Sequence, residues 1–226
     1  MVERAAPQAL GAAVHVSRTL TIPIFPLAGA ILFPRSQLPL HIFEPRYREM
    51  VRDAIDGPGQ IGMIQPLRID DDNQAPLYDV GCVGEVVGIE ELDDGRFNIV
   101  LLGTERFRLI SDSVHDGGYR CASVDIAAFD DSDPVPLSIA QRAEVEREAR
   151  RLGDAMGLAV DWDAVARLDD EMLVNAIAQV APFDTGAKQA LLEQATLDGR
   201  ADLLVQLMEF QRAAVSGGVE IEPTIQ

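Results

Sequence analysis

The sequence predicts an α+β protein: a small β-barrel or half-barrel with one inserted helix, followed by a C-terminal helical bundle. Three observations carry that expectation. Between residues 20 and 130, short β-branched and apolar runs are cut by Gly and Pro at strand-like intervals. One stretch inside that region carries helical spacing instead. Beyond an acidic, proline-containing break at residues 131–137, the apolar period becomes that of helices. The organisation is therefore an N-terminal extension (1–19), a strand-rich unit (20–130), a linker (131–137), a bundle (138–215) and a tail (216–226). At 226 residues, 47% hydrophobic and 25% charged, the chain is long enough and apolar enough to bury a core.

In Leu20-Thr-Ile-Pro-Ile-Phe25, β-branched residues surround a proline, as suits an edge strand, and Leu38-Pro-Leu-His-Ile-Phe43 has the same character. Glu44 stands as an N-cap and Pro45 at the first helical position. Tyr47, Val51, Ala54 and Ile55 follow at helical spacing until Asp56-Gly-Pro-Gly59 stops them. Gln60-Ile-Gly-Met-Ile-Gln65 is a further strand, and Asp70-Asp-Asp-Asn-Gln-Ala-Pro76 a loop. From Tyr78 to Glu91 the pattern alternates, with Gly81, Gly84 and Gly88 marking bulges or tight bends. Asp94-Gly95 predicts a type I′ hairpin joining residues 83–92 to 96–102. After Gly103, a strand at 104–111 sets Arg106, Arg108 and Ile110 opposite Glu105, Phe107 and Leu109. A last strand covers 119–129.

In the second half, Ile139, Ala143, Val145, Ala149, Leu152 and Met156 form one helical stripe, which Gly153 and Gly157 end. Asp169 or Asp170 caps the next helix, with Met172, Leu173, Ala176, Ile177 and Val180 as its core face. A third helix runs from about Asp184 through Leu191 and Leu192. Asp198 caps a fourth that buries Leu203, Leu204, Leu207 and Met208.

A net charge of −18, shared by both halves, argues against a nucleic-acid partner, which needs a clustered cationic face. It argues equally against docking on an anionic membrane. The charge-free run from Thr19 to Pro34 is broken by three prolines and is too short to span a bilayer. Cys82 and Cys121 exclude a disulfide scaffold and are expected to be reduced. A cytoplasmic protein follows as the expectation.

No catalytic constellation stands out. The sole lysine, Lys188, lies between Ala187 and Gln189, so no phosphate-binding loop is present; it reads as a solvated helix lysine. There is no GxSxG elbow. His15, His41 and His115 are scattered without a zinc-ligand pattern, and no cofactor is expected. Arg96, Arg106, Arg108 and Arg120 either form a basic patch or pair across the sheet with Glu85, Glu90 or Glu105. The apolar, proline-spaced segment Phe25-Pro-Leu-Ala-Gly-Ala-Ile-Leu-Phe-Pro34, continuing to Phe43, suits either core packing or a partly exposed groove.

Ile22-Pro-Ile-Phe-Pro-Leu27, Leu32-Phe-Pro34 and Leu38-Pro-Leu-His-Ile-Phe-Glu-Pro-Arg-Tyr47 together resemble the opening of the Lon protease N-terminal, substrate-binding domain. The likeness continues through Val80-Gly-Cys-Val-Gly84, Asp94-Gly-Arg96, Leu102-Gly-Thr-Glu-Arg-Phe107, Gln189-Ala-Leu-Leu-Glu193 and Arg200-Ala-Asp-Leu-Leu204. It covers residues 20–212. The resemblance implies a PUA-like β pseudo-barrel followed by a helical bundle, and a non-catalytic module that binds unfolded or apolar polypeptide segments as adaptor or sensor. Phe33, Pro34, Leu38, His41, Phe43 and Tyr47 are its implied polypeptide-binding positions, with Phe33 and Leu38 as exposed groove contacts. Pro26, Leu27, Glu44, Arg46, Gly81, Gly95, Gly103, Arg106 and Phe107 are implied structural positions, Glu44 and Arg46 fixing the helix start. The implied partners are polypeptide segments, a Lon-type protease or a second copy of the chain. The alternative is RNA binding, which PUA-like barrels often perform; it would depend on Arg106 and Arg108.

Overall fold

The computed structural model describes residues 17–68 and 75–216; most of the N-terminal extension, His15, the acidic run at 70–72 and the tail lie outside them. Strands β1 (Thr19–Pro26) and β2 (Gln37–Ile42) precede helix α1 (Pro45–Asp56). Strands β3 (Gln60–Ile64), β4 (Val80–Glu91), β5 (Phe97–Val114) and β6 (Arg120–Asp125) follow. The helical half comprises α2 (Ile139–Ala155), α3 (Trp162–Val165), α4 (Asp170–Val180), α5 (Thr185–Glu193) and α6 (Leu197–Ser216). The α+β class and its strand-then-helix order are as the sequence predicts.

The sheet order is β2-β5-β4-β3-β1-β6, and β5 pairs with β6 as well. Five strands therefore pair in a closed circuit, with β2 attached to the first half of β5 as an edge. β5 can serve both partners because it is one long strand; the expected division at Gly103 does not occur. Gly103 instead lets another segment approach. Its N–H donates to the Ser36 carbonyl (2.9 Å) and its own carbonyl accepts from Arg35 N–H (2.8 Å). Arg35 sits at φ 61°, a conformation unfavourable for a side-chain-bearing residue. It is held there by that backbone bond and by its guanidinium, which grips both Glu171 carboxylate oxygens at 2.6 and 2.8 Å.

The β4–β5 hairpin differs from the expected type. Gly95 alone has positive φ, Gly95 N–H donates to Leu92 O (2.7 Å) and Leu92 N–H to Arg96 O (2.8 Å). That is a three-residue connection closed by a left-handed glycine, not a type I′ turn, which would need Asp94 at positive φ too. Glu44 does precede α1 and Pro45 opens it, but the Glu44 side chain makes no capping bond; it pairs with Arg46 at 2.8 Å.

Ser138, Asp161, Asp169 and Asp184 each cap a helix by accepting a backbone N–H at the third helical position. At α6 that role belongs to Thr196, whose hydroxyl accepts from Gly199 N–H (3.3 Å), in place of the expected Asp198. The bundle core gathers Val145, Leu152, Leu173, Leu191, Leu204 and Met208, together with Ile31, Phe33 and Val80 from the sheet half. The two halves are thus joined by shared core. Two expected faces shift. Ile139 is 91% exposed because it stands in the first turn of α2, ahead of the packing. In α4, Leu173, Val174 and Ala178 are buried while Met172 and Val180 face solvent. The helix is rotated so that Asn175 points inward, where its oxygen accepts from Arg200 (2.8 Å).

Lys188 is buried too, against the expectation of a solvated side chain. Its ammonium donates to Gly29 O (3.1 Å) and Gln179 O (2.9 Å), tying the β1–β2 loop to the end of α4. Burial pulls its pKa below the ordinary lysine value, while the carbonyl end of α4 favours a cation. An amine-reactive reagent at neutral pH is therefore expected to spare Lys188 in the folded chain and to modify it in urea, as read by peptide mass spectrometry. Modification at the rate of a free lysine would contradict this placement.

Candidate functional site

The six residues expected to contact polypeptide fall into three environments. Phe33 and Pro34 are buried. The Phe33 ring fills the junction between sheet and bundle, with the Arg200 guanidinium 4.8 Å from its centre, so it is no exposed groove contact. The segment around it is clamped from α4, whose Gln179 and Asn175 side chains donate to Ile31 O and Pro34 O. Tyr47 is also buried, its ring 4.3 Å from that of Phe25. Leu38 is half-buried on β2. Only His41 and Phe43 stand exposed, Phe43 by 61%, with their rings stacked at 6.3 Å.

His41 belongs to a row of side chains crossing three strands. Register places His41 beside Asn98 of β5, and Asn98 beside Glu90 of β4. Arg96 Nη1 lies 3.2 Å from His41 Nε2, His41 Nδ1 is 2.8 Å from Asn98 Oδ1, and Asn98 Nδ2 is 2.8 Å from Glu90 Oε2. Arginine can only donate, so Nε2 is the acceptor and the proton sits on Nδ1. Every donor in the row then points toward Glu90. Next to this row, Pro39, Val100 and Gly88 stand in line across β2, β5 and β4. Since Gly88 carries no side chain, a shallow groove of about 500 Å³ opens over the three strands. A second hollow of about 410 Å³ lies between α1 and the β4–β5 hairpin, lined by Arg52, Ile55 and Phe97. Ile89, 48% exposed, borders both.

The sequence names Glu90 only as a candidate ion-pair partner for the arginines and does not single out Ile89, Asn98 or Val100. The available signal was Gly88, read as a bulge or tight bend, and the ladder does shift register between Val86 and Gly88. Val87 and Ile89 are left exposed there.

The structural positions behave differently. Leu27, just past Pro26, extends the parallel β1–β3 ladder by donating to Ile64 O (3.1 Å). The Phe107 ring occupies the space where a side chain on Gly81 would stand. Arg106 does not pair with Glu85, Glu90 or Glu105. Its side chain is 2% exposed and bonded to Asp131 at 2.8 Å. Arg120 is likewise buried, bonded to Asp112 and the Ala75 carbonyl, and Arg96 sits at the hairpin with Asp94. Arg108 is exposed and lies over the same Phe129 ring as Arg106, but with Arg106 and Arg120 buried the four arginines form no common exposed patch. Among the described residues, no three His, Cys, Asp or Glu side chains gather to hold a metal ion.

A profile of the family described as the ATP-dependent protease La (LON) substrate-binding domain matches residues 21–209. Lon protease 2 of Desulfotalea psychrophila is 26% identical over 215 residues, 90% of this chain and 27% of that protein. Lon protease of Anaeromyxobacter dehalogenans is 24% identical over 211 residues, 91% of this chain and 25% of its own length. The chain thus spans about a quarter of these relatives. Among solved structures, a Lon N-terminal domain protein from Xanthomonas campestris superposes with TM-score 0.61 at 21% identity, covering 83% of this chain and 98% of that one. The N-terminal domain of a Mycobacterium avium complex Lon protease gives TM-score 0.60 at 16% identity, covering 84% and 98%. These likenesses establish a shared fold.

Proposed function

The chain belongs to the Lon substrate-binding domain family, and from that premise we propose that it captures unfolded or apolar polypeptide segments on the β2–β5–β4 face. It acts there as an adaptor or sensor and carries out no chemistry of its own. The observation that carries this reading is the exposed Phe43–His41 stack beside a groove floored by Gly88 and Val100. An exposed aromatic at the rim of an apolar-floored groove is the surface expected of a protein-contacting site. The closed strand circuit suits a PUA-like pseudo-barrel. A Lon-type protease is the natural recipient of the captured segment, and no helix among the described residues is long and apolar enough to cross a membrane, which fits a cytoplasmic setting. The RNA alternative, which depends on Arg106 and Arg108, is weakened: Arg106 is buried in an ion pair and only Arg108 remains exposed.

The test is a fluorescence-anisotropy titration with a labelled, permanently unfolded polypeptide at two salt concentrations, with its folded parent and a structured RNA as controls. Saturable binding to the unfolded chain alone, little changed by salt, is expected. Phe43→Ser should weaken it about tenfold, the effect of losing one buried aromatic contact. Binding of the RNA with steep salt dependence, or no binding of the unfolded chain, would overturn the reading.

A further inference from the structure

Strand β2 has a free side. It ends the strand order and, among the described residues, pairs only with β5. In an antiparallel strand, alternate residues turn their N–H and C=O to opposite sides. The Ser36 carbonyl accepts from Gly103 N–H of β5, so the residues in step with Ser36, namely Leu38, Leu40 and Ile42, serve the β5 ladder. Gln37, Pro39 and His41 therefore turn their backbone groups to the free edge. Pro39 agrees with this assignment: lacking an N–H, it is tolerated only where no ladder bond is needed.

The edge thus offers the N–H and C=O of Gln37 and His41 and the C=O of Pro39, two residues apart in each step. Such a row matches one kind of ligand, another extended backbone. Leu38 and Leu40 remain half-exposed beside the buried Leu101 and Ile99 of β5, so an added strand with apolar residues at alternate positions would cover them. The intervening side chains would lie over the groove, where Glu90 is the acidic lining residue and favours a cation. A second copy of β2 is the poorer occupant. Each copy brings only two donors to the seam, and both copies carry a net charge of −18.

We propose that the β2 edge takes up an extended polypeptide segment, apolar at alternate positions and bearing Lys or Arg between them, as an added strand. This rests on the reading of the face as a polypeptide-capturing site and specifies how capture occurs.

The experiment titrates the full chain into a labelled peptide alternating Val and Thr with one central Arg. One peptide variant replaces that Arg by Glu, and another is N-methylated at alternate amides, which blocks edge bonding while keeping the side chains. His41→Pro removes an edge donor, and His41→Ala removes the side chain but keeps the N–H. The parent peptide is expected to bind. N-methylation and His41→Pro should each weaken binding about tenfold, the loss of one to two net hydrogen bonds, and His41→Ala should weaken it less. The Glu peptide should bind more weakly than the parent. Unchanged affinity after N-methylation would overturn strand addition, and this arm decides the matter even if His41→Pro fails to fold. A permanently unfolded polypeptide that binds while the parent peptide does not would overturn strand addition alone; failure of both would remove the capture reading as well. Sedimentation showing a dimer that His41→Pro dissolves would assign the edge to a second copy and overturn the proposal.

Discussion

Replacing Arg106 with alanine is expected to destabilise the fold by about 3–5 kcal/mol, the usual consequence of removing one member of a buried ion pair. The guanidinium is anchored from several sides. Nε donates to Asp131 Oδ1 (2.8 Å), and Nη1 donates to the carbonyls of Leu192 (2.9 Å) and Gln194 (2.6 Å) at the end of α5. The Phe129 ring lies 4.5 Å from its centre. Truncation leaves Asp131 a buried, unpaired carboxylate and leaves two helix-end carbonyls without a donor. Because Arg106 is on β5 while its acceptors lie in the segment ahead of α2 and at the end of α5, the junction of the two halves should loosen as a unit. Urea unfolding reads this as a lower midpoint. Adding Asp131→Leu to Arg106→Met should recover much of the loss, since the stranded charge is then gone. A loss below about 1 kcal/mol for Arg106→Ala, the range of an exposed pair, would contradict the burial of this network.

Gly103→Ala is expected to cost about 3 kcal/mol or more, because its new methyl group would be driven into the Phe33 carbonyl, backbone against backbone. Relief requires separating β5 from the 33–36 segment. That would stretch the Arg35 N–H bond to Gly103 O and the Gly103 N–H bond to Ser36 O, and shift Phe33 out of the shared core. Gly88→Ala provides the contrast. A methyl group there would meet Val100 at 3.4 Å, an ordinary contact, so stability should stay within about 0.5 kcal/mol. The same methyl group would partly fill the groove and should weaken polypeptide binding. Thermal denaturation of the two variants, with anisotropy on the second, checks both statements. Equal stability losses would mean that the two glycines do not differ as described.

The fold was legible wherever a local signal suffices. Pro45 opening α1, a cap at Asp169 or Asp170, the start of α5 near Asp184, and the chain reversal at Asp94-Gly95 all rest on residues within one turn of each other. What the sequence could not show depends on distant partners. Arg106 is buried because Asp131 reaches back to it from a segment whose acidic, proline-containing composition reads as a linker. Phe33, in an apolar run that suits core or groove equally, is enclosed by helices that begin more than a hundred residues later. The inward Asn175 rotates α4 away from its apparent apolar face because a buried guanidinium waits for it. Burial and the nearby charge of Arg106 pull Arg200 down to about 10, a cost accepted only where such bonds are in place. For the candidate site, His41 and Phe43 were legible from the motif. Their neighbours on β4 and β5 were not, since only the pairing register brings Glu90, Asn98 and Gly88 beside them.

The central claim is that one face, formed by β2, β5 and β4, meets the polypeptide. Amide hydrogen exchange on the full chain, with and without a saturating unfolded polypeptide, tests it most directly. Added protection should concentrate at Gln37 and His41 and along residues 87–90, with the bundle helices unchanged. Protection confined to α2–α6, or spread evenly over the chain, would contradict the claim.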